Sequence, residues 1–507
     1  MSDLFVGIDS GTQSTKVVIC DGADGRVVAR GASPTELVAG LPPGHAEQHP
    51  QLWFGAMKAA LAEALADIGE RRACIRGLGV SGQQHGFVAL DHDGHVIRPA
   101  KLWCDTSTSQ ECQYITDALG GLAECLGRAG NRISPGFTAP KVLWLKRHEP
   151  ANFARLHTVL LPHDYLNFRL AGQRRMEWGD ASGTALMDVR SREWSRPVLD
   201  AIDAELEGKL PPLRPSWEPC GLLRGDVAHE LGLPPGVLVS AGGGDNMMAA
   251  IGTGNVRPGV VTASLGTSGT IFACSDRPIV DPDAEIAAFC DSTGQWLPLL
   301  CTMNVTVATE AVRRMFGLSL DQFNEAAAGV PPGSDGLLLL PYLEGERTPD
   351  VPDGTGVWFG ANRATHTPGH FCRAAMEGAT LGMNYGLRRM RALGIVPREF
   401  RLTGGGARSR VWRQIVADVF NTPVVCTVEP ESAALGAAIQ ARWTWLRQDD
   451  PSVTIEQACA GWIHLDESSR CQPDPESAAR YAELQPLQDR LSLDLRPSFA
   501  HARSLAE

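Results

Sequence analysis

Two carboxylates in this sequence stand beside glycine-rich turns, where a small ligand can approach the backbone closely. Asp245 follows three glycines in VSAGGGDNMMAAIG (239–252), where an apolar strand gives way to an apolar helix. Asp9 ends the apolar strand DLFVGID and precedes the turn SGTQS. At the end of a strand, Asp9 is placed to orient a hydrated Mg²⁺ ion. For Asp245, the stretch by itself predicts a helix cap, because Asp is a favoured N-cap residue, and such a cap can have a second role.

Gly-Thr turns recur at two places in the chain. DSGTQS begins at Asp9 and LGTSGT begins at Leu265, and each is flanked by two predicted β-strands. Glycine N–H groups in such a turn form an anion-binding nest, and Thr and Ser hydroxyls hydrogen-bond to phosphate oxygens. We expect two duplicated α/β domains, each of which contributes one hairpin to a shared cleft. A coincidence between two ordinary β-turns is the alternative.

Small residues predict close backbone approach at two further places. In LTGGGARS (402–409), three glycines lie between a predicted strand and a predicted helix. Such a turn allows a flat base or a ribose to lie against the backbone. ESAALGAA (431–438) is a helical stretch of small residues that suits either such a ligand or tight helix packing.

Two polar loops follow predicted strands and are candidates for a polyol site. GVSGQQHGFVALD (79–91) carries Gln83, Gln84 and His85, whose amides and imidazole donate to and accept from hydroxyls. For these residues the alternative is that backbone groups satisfy them. KLWCDTSTSQEC (101–112) carries Asp105, which either forms part of the same pocket wall or caps the following helix.

The elements that position these residues alternate between strands and helices, which is typical of an α/β protein. The chain has 507 residues, which is long enough for two domains. We place the domain boundary at the Asp245 turn, because the second Gly-Thr hairpin begins soon after it. The prediction is an N-terminal domain of residues 1–245 and a C-terminal domain of residues 246–507.

Composition and motif searches exclude several functional classes. The net charge is −12 with both signs interspersed, so neither nucleic acid nor an anionic membrane is an expected partner. A signal peptide and an apolar run of roughly 20 residues are both missing, and the 13 cysteines are dispersed, so we expect a cytoplasmic protein with reduced thiols. The chain also lacks the P-loop, the dinucleotide fingerprint, G-x-S-x-G and H-E-x-x-H.

These motifs, in this order, resemble those of the FGGY carbohydrate kinases, within the actin/hexokinase/Hsp70-type ATPase superfamily. The resemblance extends from Phe5 to about Arg442. It implies an α/β fold of two duplicated ribonuclease H-like domains around a central cleft. The motifs that carry it are GIDSGTQSTK, GFTAPKVLWLKRH (136–148), SLGTSGT, GVWFGANRATHTPGHFCRAAMEG (356–378) and TGGGARS.

Within this family, SGQQHG, LWCDTST, PYLEGERTP (341–349) and GGGDN are similar to the branch that acts on D-xylulose. That branch often has Gln-Met-His and Trp-Asn-Asp-Gly-Arg where this chain has Gln-Gln-His and Trp-Cys-Asp-Thr-Ser. The resemblance implies ATP- and Mg²⁺-dependent transfer to the 5-hydroxyl of D-xylulose, giving D-xylulose 5-phosphate. A kinase for ribulose, gluconate or glycerol and an inactive ATP-binding sensor are the alternatives, and a homodimer is left open.

The resemblance also implies roles for individual residues. Asp245 is expected to be the general base, kept ionised by the helix N-terminus, and Asp9 to hold Mg²⁺ through water. The sugar is expected to contact Gln84, His85, Asp105, Asp245 and Asn246. The residues expected to bind the nucleotide and its phosphates are Gly11, Thr12, Gln13, Ser14, Lys16, Gly266, Thr267, Ser268, Gly404, Gly405, Gly406 and Ala407.

Overall fold

A computed structural model describes residues 2–506 of the chain. Contacts divide it into a first unit, which comprises Met1–Arg257, Cys274–Leu297 and Glu431–His464, and a second unit, which comprises Pro258–Ala273, Pro298–Pro430 and Leu465–Glu507. Both units are therefore discontinuous in sequence, and the domain boundary predicted between residues 245 and 246 stays a prediction. Among the described helices, none has the length and apolar character that crossing a membrane requires.

The secondary structure elements are numbered along the chain. The strands of the first unit are β1 Leu4–Ser10, β2 Ser14–Asp21, β3 Val27–Pro34, β4 Glu47–Gln48, β5 Ile75–Gly82, β6 Val88–Leu90, β7 Ala100–Lys101, β8 Thr158–Leu160, β9 Met176–Glu177, β10 Met187–Asp188, β11 Glu193–Trp194, β12 Leu213–Arg214, β13 Gly221–Leu222, β14 Leu238–Val239 and β15 Gly243–Gly244. Those of the second unit are β16 Val260–Leu265, β17 Gly269–Ala273, β18 Leu299–Thr302, β19 Leu338–Pro341, β20 Gly356–Phe359, β21 Glu399–Thr403, β22 Val424–Thr427 and β23 Leu465–Cys471.

The helices are numbered in the same way. In chain order they are α1 Pro50–Ile68, α2 Ser109–Leu119, α3 Leu122–Ala129, α4 Thr138–His148, α5 Pro150–Arg155, α6 Pro162–Ala171, α7 Trp178–Ala181, α8 Arg196–Ile202, α9 Gly225–Leu231, α10 Asp245–Gly252, α11 Thr306–Met315, α12 Leu320–Ala328, α13 Pro368–Ala392, α14 Arg410–Phe420, α15 Ser432–Asp449, α16 Ile455–Cys459, α17 Pro475–Asp494 and α18 Arg496–Ala506. Short 3-10 turns span Gly69–Cys74, Ser182–Thr184, Leu206–Lys209, Ser334–Gly336 and Gly405–Arg408. Helices α1 to α10, α15 and α16 belong to the first unit, and the remaining helices belong to the second.

The first unit is built on a sheet whose strand order is β13-β14-β5-β1-β2-β3. Strands β1, β2 and β3 form an antiparallel meander, while β5 runs parallel to β1 and β14 parallel to β5. Both faces of this sheet carry apolar residues, because helices pack on each of them. Val6 and Ile8 pack in the core that includes α1, whereas Phe5 packs on the opposite face with residues of α15. The predicted hairpin is confirmed, with Asp9 opposite Lys16.

The second unit repeats this topology with the strand order β18-β17-β16-β21-β22-β23. Its first three strands are again an antiparallel meander, and β21 is parallel to β16 and β22 to β21. The order β3-β2-β1-β5-β14 of the first unit therefore corresponds to β18-β17-β16-β21-β22 of the second. The prediction of two duplicated ribonuclease H-like α/β domains is confirmed.

Helix α15 packs unusually close to its neighbours in the first unit, which explains its small residues. An ideal Cβ at Gly436 would lie 1.8 Å from the backbone oxygen of Met248 in α10. One at Gly252 would lie 1.8 Å from the oxygen of Ser432, and one at Gly7 would lie 1.8 Å from that of Ala434. Tight packing, rather than open space for a ligand, therefore accounts for the small residues of this helix.

Helix α17 of the second unit is attached to α13 through polar side chains. Tyr481 donates to Glu377 at 2.6 Å, Asn384 donates to the side chain of Gln485 at 2.8 Å, and Gln488 donates to a backbone carbonyl of α13 at 3.0 Å. The four glutamine, tyrosine and glutamate side chains of this contact are buried. Since the buried face of α17 is largely polar, hydrophobic periodicity in the sequence does not reveal it.

We expect Gly436→Ala to destabilise the protein by about 1–3 kcal/mol, because the new methyl group has to displace the backbone of α10. Gly55→Ala is the matched control, since Gly55 lies in α1 with nothing within 4 Å of its ideal Cβ. That control is expected to be neutral or more stable by up to about 1 kcal/mol, because alanine is the better helix former. Thermal unfolding of both variants measures the difference, and an unchanged Tm for Gly436→Ala would contradict the packing argument.

Candidate active site

Strand β5 brings several of the predicted polar residues of the first unit together. It pairs with β1 on one side, where Asp9 is opposite Ser81, and with β15 on the other, where Gly243 is opposite the same serine. Asp245 begins α10 directly after β15. The loop 83–86 directly follows β5 itself. The carboxyl ends of these parallel strands therefore carry the two carboxylates and the polar loop at one edge of the sheet.

Asp9 is held at the end of β1 by one strong hydrogen bond. The Ser81 hydroxyl donates to its carboxylate at 2.7 Å. Burial raises the pKa of Asp9 to about 6, although Ser81 and the nearby Lys16 act in the opposite direction. Lys16 is itself paired with Glu431 at 2.7 Å, so its charge is already shared with another carboxylate.

Asp245 is the first residue of α10 and does not cap it. The N-cap is Gly244, whose extended backbone (φ −66°, ψ 153°) is the conformation that an N-cap residue requires. The prediction that Asp245 caps the helix is therefore wrong. Its carboxylate instead accepts from the backbone N–H of Asn246 at 2.7 Å and from the side-chain amide of the same residue at 3.0 Å.

The ionised state predicted for Asp245 stays a prediction, and burial works against it. Burial, together with the negative charges of Asp9 and Asp180, raises the pKa of this carboxylate to about 7. The hydrogen bonds from Asn246 act against this shift and are outweighed. Burial and the two neighbouring negative charges thus disfavour the charged form together.

Gln84, Asn246 and Asp245 form one hydrogen-bonded array. The side-chain amide of Asn246 donates to the Gln84 oxygen at 2.6 Å while it also donates to Asp245. The amide nitrogen of Gln84 lies 3.0 Å from the sulfur of Met247. The structure therefore brings three of the predicted sugar-binding residues together, and it fixes the direction in which each amide points.

His85, the fourth of these residues, follows directly in the chain. Its ring centroid lies 5.1 Å from that of Phe137 and 5.3 Å from that of Phe289. Its Nδ1 atom lies 3.0 Å from a carboxylate oxygen of Asp180. Burial lowers the pKa of His85, and contact with Asp180 opposes that change. Sequence reasoning missed Asp180 and the two phenylalanines, which are far from His85 in the chain.

Asp105, the fifth predicted sugar ligand, is fully buried and already has several partners. It accepts from Lys101 at 3.0 Å and from the backbone N–H of Ala46 at 2.9 Å. It does not cap the following helix, because the N-cap of α2 is Thr108. Its alternative role in a pocket wall stays a prediction. Through these bonds the Asp105 carboxylate holds its own loop in place. Trp103 of the same loop donates to the Thr12 hydroxyl at 3.0 Å.

The first Gly-Thr hairpin is tied to the polar loop of the same unit. Thr12 donates through its hydroxyl to Gln83 at 3.0 Å, and its carbonyl accepts from Gln48 at 2.7 Å. The N–H of Gly11 is used within the turn, where it donates to the carbonyl of Ser14 at 3.0 Å. Gln13 is exposed at the tip. Phosphate binding by these residues and by Lys16 stays a prediction.

In the second unit, the structure brings the other two glycine elements into contact. An ideal Cβ at Gly404 would lie 3.0 Å from the backbone nitrogen of Gly266, in the turn between β16 and β17. Gly404 and Gly405 are exposed, whereas Gly406 and Ala407 are buried. Gly406 packs on Trp412, since a Cβ there would lie 3.0 Å from that ring.

The turn Gly266–Ser268 in turn packs on the start of α11. Its carbonyls at Gly266 and Thr267 accept backbone N–H groups of residues 306 and 305. One surface of the second unit therefore carries the residues that the sequence assigns to the nucleotide, namely Gly266, Thr267, Ser268, Gly404 and Gly405.

Comparison with known proteins gives the family. The pattern of the N-terminal domain of the FGGY carbohydrate kinases matches residues 4–252, and the pattern of their C-terminal domain matches residues 261–445. The chain belongs to the FGGY family of carbohydrate kinases. ATP is the phosphate donor in this family, so the chain is a phosphotransferase that acts on a sugar or a related alcohol.

Individual relatives extend over nearly the whole chain. A Haemophilus influenzae protein named xylulose kinase is 39% identical over 484 residues, which is 94% of this chain and 97% of the relative. The Escherichia coli protein of that name is 35% identical over 498 residues, 96% of this chain and 100% of the relative. The crystal structure of xylulose kinase from Rhodospirillum rubrum has a TM-score of 0.88 at 29% identity and covers 98% of this chain and 100% of its own.

We expect Asp245→Asn to be more stable than the wild type at pH 8. An acid whose pKa is higher in the folded state binds its proton more tightly there, so its contribution to stability declines as the pH rises from about 4 to about 7. Removal of the charge should then stabilise the protein at pH 8 by on the order of 1–3 kcal/mol. Thermal unfolding at pH 8 and pH 4 measures this, and the difference should vanish at the lower pH.

Asp203→Asn is the matched control for this experiment. Burial alone would raise the pKa of Asp203, but its hydrogen bond with Lys146 makes the net shift a lowering. This carboxylate therefore stabilises the folded state at pH 8, and its removal is neutral or destabilising there. A stabilising effect in both variants would attribute the gain to net charge rather than to the buried site.

Proposed function

We propose that this chain transfers the γ-phosphoryl group of ATP to the 5-hydroxyl of D-xylulose and so forms D-xylulose 5-phosphate. The observation that carries the proposal is the hydrogen-bonded array of Gln84, Asn246 and Asp245 beside His85. It offers a carboxylate, amide oxygens and nitrogens, and an imidazole to several hydroxyl groups at once. The relatives named xylulose kinase, with 39% and 35% identity over nearly the full chain, support D-xylulose as the sugar.

In the proposed reaction, Asp245 accepts the proton of the attacking hydroxyl. Its pKa of about 7 suits this role, because a general base works best when its pKa is near the working pH. Asn246 holds the carboxylate oxygen in place through two hydrogen bonds. Phosphoryl transfer depends mainly on positioning and on electrostatic stabilisation, so one well-placed base and a rigid amide array are sufficient for the sugar side.

The chemistry of the donor set in the first unit fits a hydrated Mg²⁺ ion. Asp9 and Asp245 are two acids whose burial raises their pKa values to about 6 and about 7, and the charge of Asp9 adds to the shift of Asp245. Lys16 is paired with Glu431 and compensates them only in part. Bound with ATP, Mg²⁺ would supply positive charge for the phosphates. Asp9 would hold the ion through water, as expected where few protein carboxylates are offered.

For the nucleotide, we propose the exposed glycine backbone at Gly404 and Gly405 together with the adjoining turn Gly266–Ser268. The contact between these two elements within the second unit supports the assignment. Gly406 and Ala407 are buried, and their predicted contact with the nucleotide stays a prediction. The hairpin residues Gly11, Thr12, Gln13 and Ser14 stay predicted phosphate contacts. A cytoplasmic location and a homodimer also stay predictions.

A screen of sugars tests the substrate. ADP release is measured with D-xylulose, ribulose, gluconate and glycerol, and we expect kcat/KM to be highest for D-xylulose. A higher value for any other compound would replace the proposed substrate, and the absence of ATP-dependent phosphorylation with all of them would favour the inactive sensor. Mass spectrometry of the product locates the phosphate on the 5-hydroxyl.

Asp245→Asn is expected to lower turnover about 10²–10⁴-fold, the usual contribution of a general base. ATP binding should be unchanged, because the substitution removes only the proton acceptor for the sugar hydroxyl. Steady-state kinetics and equilibrium ATP titration measure the two properties. Asp203→Asn, which removes a carboxylate paired with Lys146 at 2.9 Å, is the matched control and should retain normal turnover. Near-normal turnover in Asp245→Asn would sink the base assignment.

Asp9→Asn tests the metal proposal. We expect the Mg²⁺ concentration for half-maximal activity to rise at least about tenfold, because the neutral amide orients metal-bound water less strongly than a carboxylate does. Magnesium titrations at fixed ATP measure the change. Asp21→Asn is the control, since Asp21 lies at the other end of the same hairpin and pairs with Arg71 at 3.0 Å. An identical Mg²⁺ requirement in the Asp9 variant and the wild type would remove Asp9 from the metal site.

A further inference from the structure

His85 has an unusual backbone conformation that several other residues maintain. Its φ angle is 59°, in the left-handed region that non-glycine residues rarely occupy. Such a conformation is strained and persists only where the surroundings determine it. The carbonyl of His85 accepts from the Thr138 hydroxyl at 3.1 Å and from the Lys141 ammonium at 3.0 Å. Its N–H donates to Asp180 at 3.2 Å.

One carboxylate oxygen of Asp180 accepts from the backbone of His85 and also lies beside its ring. Besides accepting the His85 N–H, Oδ1 lies 3.0 Å from ring atom Nδ1. The second oxygen, Oδ2, lies 3.3 Å from Nδ1 of His163. His163 in turn places Nε2 3.0 Å from Asp164. The four side chains form a continuous buried series in the order His85, Asp180, His163 and Asp164.

Asp180 is itself placed by a rigid segment. It lies in the four-residue helix α7, whose N-cap Glu177 accepts from the backbone N–H of Asp180 at 2.6 Å and from that of Gly179 at 2.7 Å. On the next turn, an ideal Cβ at Gly183 would lie 1.9 Å from Cε1 of His85. The absence of a side chain at Gly183 therefore leaves the space that the imidazole ring occupies. The segment 177–183 contacts the ring at two places, Asp180 and Gly183.

The charges in this series favour one form of His85. Burial would raise the pKa of Asp180, but contacts with His163 and His85 lower it to about 2, so the group is an anion. Burial lowers the pKa of His85, which keeps its ring neutral near pH 7. A neutral imidazole with Nδ1 beside a carboxylate carries its proton on Nδ1, because the carboxylate only accepts hydrogen bonds. The other nitrogen, Nε2, is then an acceptor.

We propose that Asp180 is a positioning residue, which fixes His85 as the Nδ1–H tautomer so that Nε2 accepts a hydrogen bond from one hydroxyl of the sugar. This inference rests on the proposed function, in which His85 contacts the sugar. Asp180 is placed to act on the sugar through the histidine, and its negative charge also raises the pKa of Asp245. Since His85 accepts rather than donates, the site favours a hydroxyl over a carbonyl oxygen at this place on the substrate.

The tautomer of His85 is tested in the wild-type full-length protein without any sugar. Histidine labelled with ¹⁵N is incorporated, and two-bond nitrogen–proton correlations distinguish Nδ1–H from Nε2–H rings. The His85 signals are assigned by their loss in His85→Gln. We expect the Nδ1–H pattern at pH 7.5. An Nε2–H pattern or an imidazolium pattern would overturn the proposal, whatever the substrate proves to be.

Asp180→Asn tests the positioning effect on the substrate that the sugar screen identifies. The amide keeps the size of the side chain but loses the charge, so we expect KM for the sugar to rise about tenfold. At pH 8 the effect on kcat should be less than about threefold and KM for ATP should be unchanged, because loss of the Asp180 charge lowers the pKa of Asp245 and leaves that base ionised there. A purely structural defect would instead lower kcat and raise both KM values.

Glu111→Gln is the matched control. Glu111 lies on α2, and its buried carboxylate is 3.3 Å from a ring nitrogen of His148. Its KM for the sugar should equal that of the wild type. An unchanged sugar KM in folded Asp180→Asn would overturn the proposal. If that variant does not fold, the tautomer measurement decides. If the wild type phosphorylates none of the sugars, the proposed function fails while the tautomer still tests the role of Asp180.

Discussion

The arrangement of the first unit depends on the pairing of β5 with two strands at once. Because β5 runs parallel to both β1 and β15, its last residues lie between the end of the one, at Asp9, and the start of the helix that follows the other, at Asp245. The loop that carries Gln84 and His85 lies at the same edge of the sheet, since it begins where β5 ends. Three separate stretches of sequence therefore meet without any direct covalent link.

That pairing has an electrostatic consequence. Two carboxylates are buried near each other, and the charge of Asp180 adds to their repulsion, so the pKa of Asp245 rises to about 7. Because ionised Asp245 is unfavourable in the folded state, the folded protein is less stable at alkaline pH, as expected where function opposes stability. The same desolvation makes Asp245 a competent proton acceptor near neutral pH, whereas an exposed aspartate with its ordinary pKa would be a much weaker base.

The sequence predicts the fold and part of the site because local signals agree with the tertiary structure. Alternating strands, the hairpin after Asp9 and the glycine turn before Asp245 are all visible from residue types alone. Asp180 is not, because WGDASGT reads as an ordinary turn and lies 95 residues from His85. The buried face of α17 is polar, so it carries no hydrophobic period. Helix α15 packs in the first unit through close backbone contacts at Gly436. A stretch rich in glycine and alanine indicates such close packing but does not identify the partner helix.

Gln84 is where this chain departs from the Gln-Met-His pattern frequent among the kinases of its branch. Its side-chain oxygen accepts the Asn246 amide, which at the same time donates to Asp245. A thioether is only a weak acceptor, so a methionine at this position would hold Asn246 less firmly. The glutamine therefore extends the hydrogen-bonded array by one member and fixes the amide that orients the proposed base. It also places an N–H group, now facing the Met247 sulfur, where a stronger acceptor on a bound sugar would compete for it.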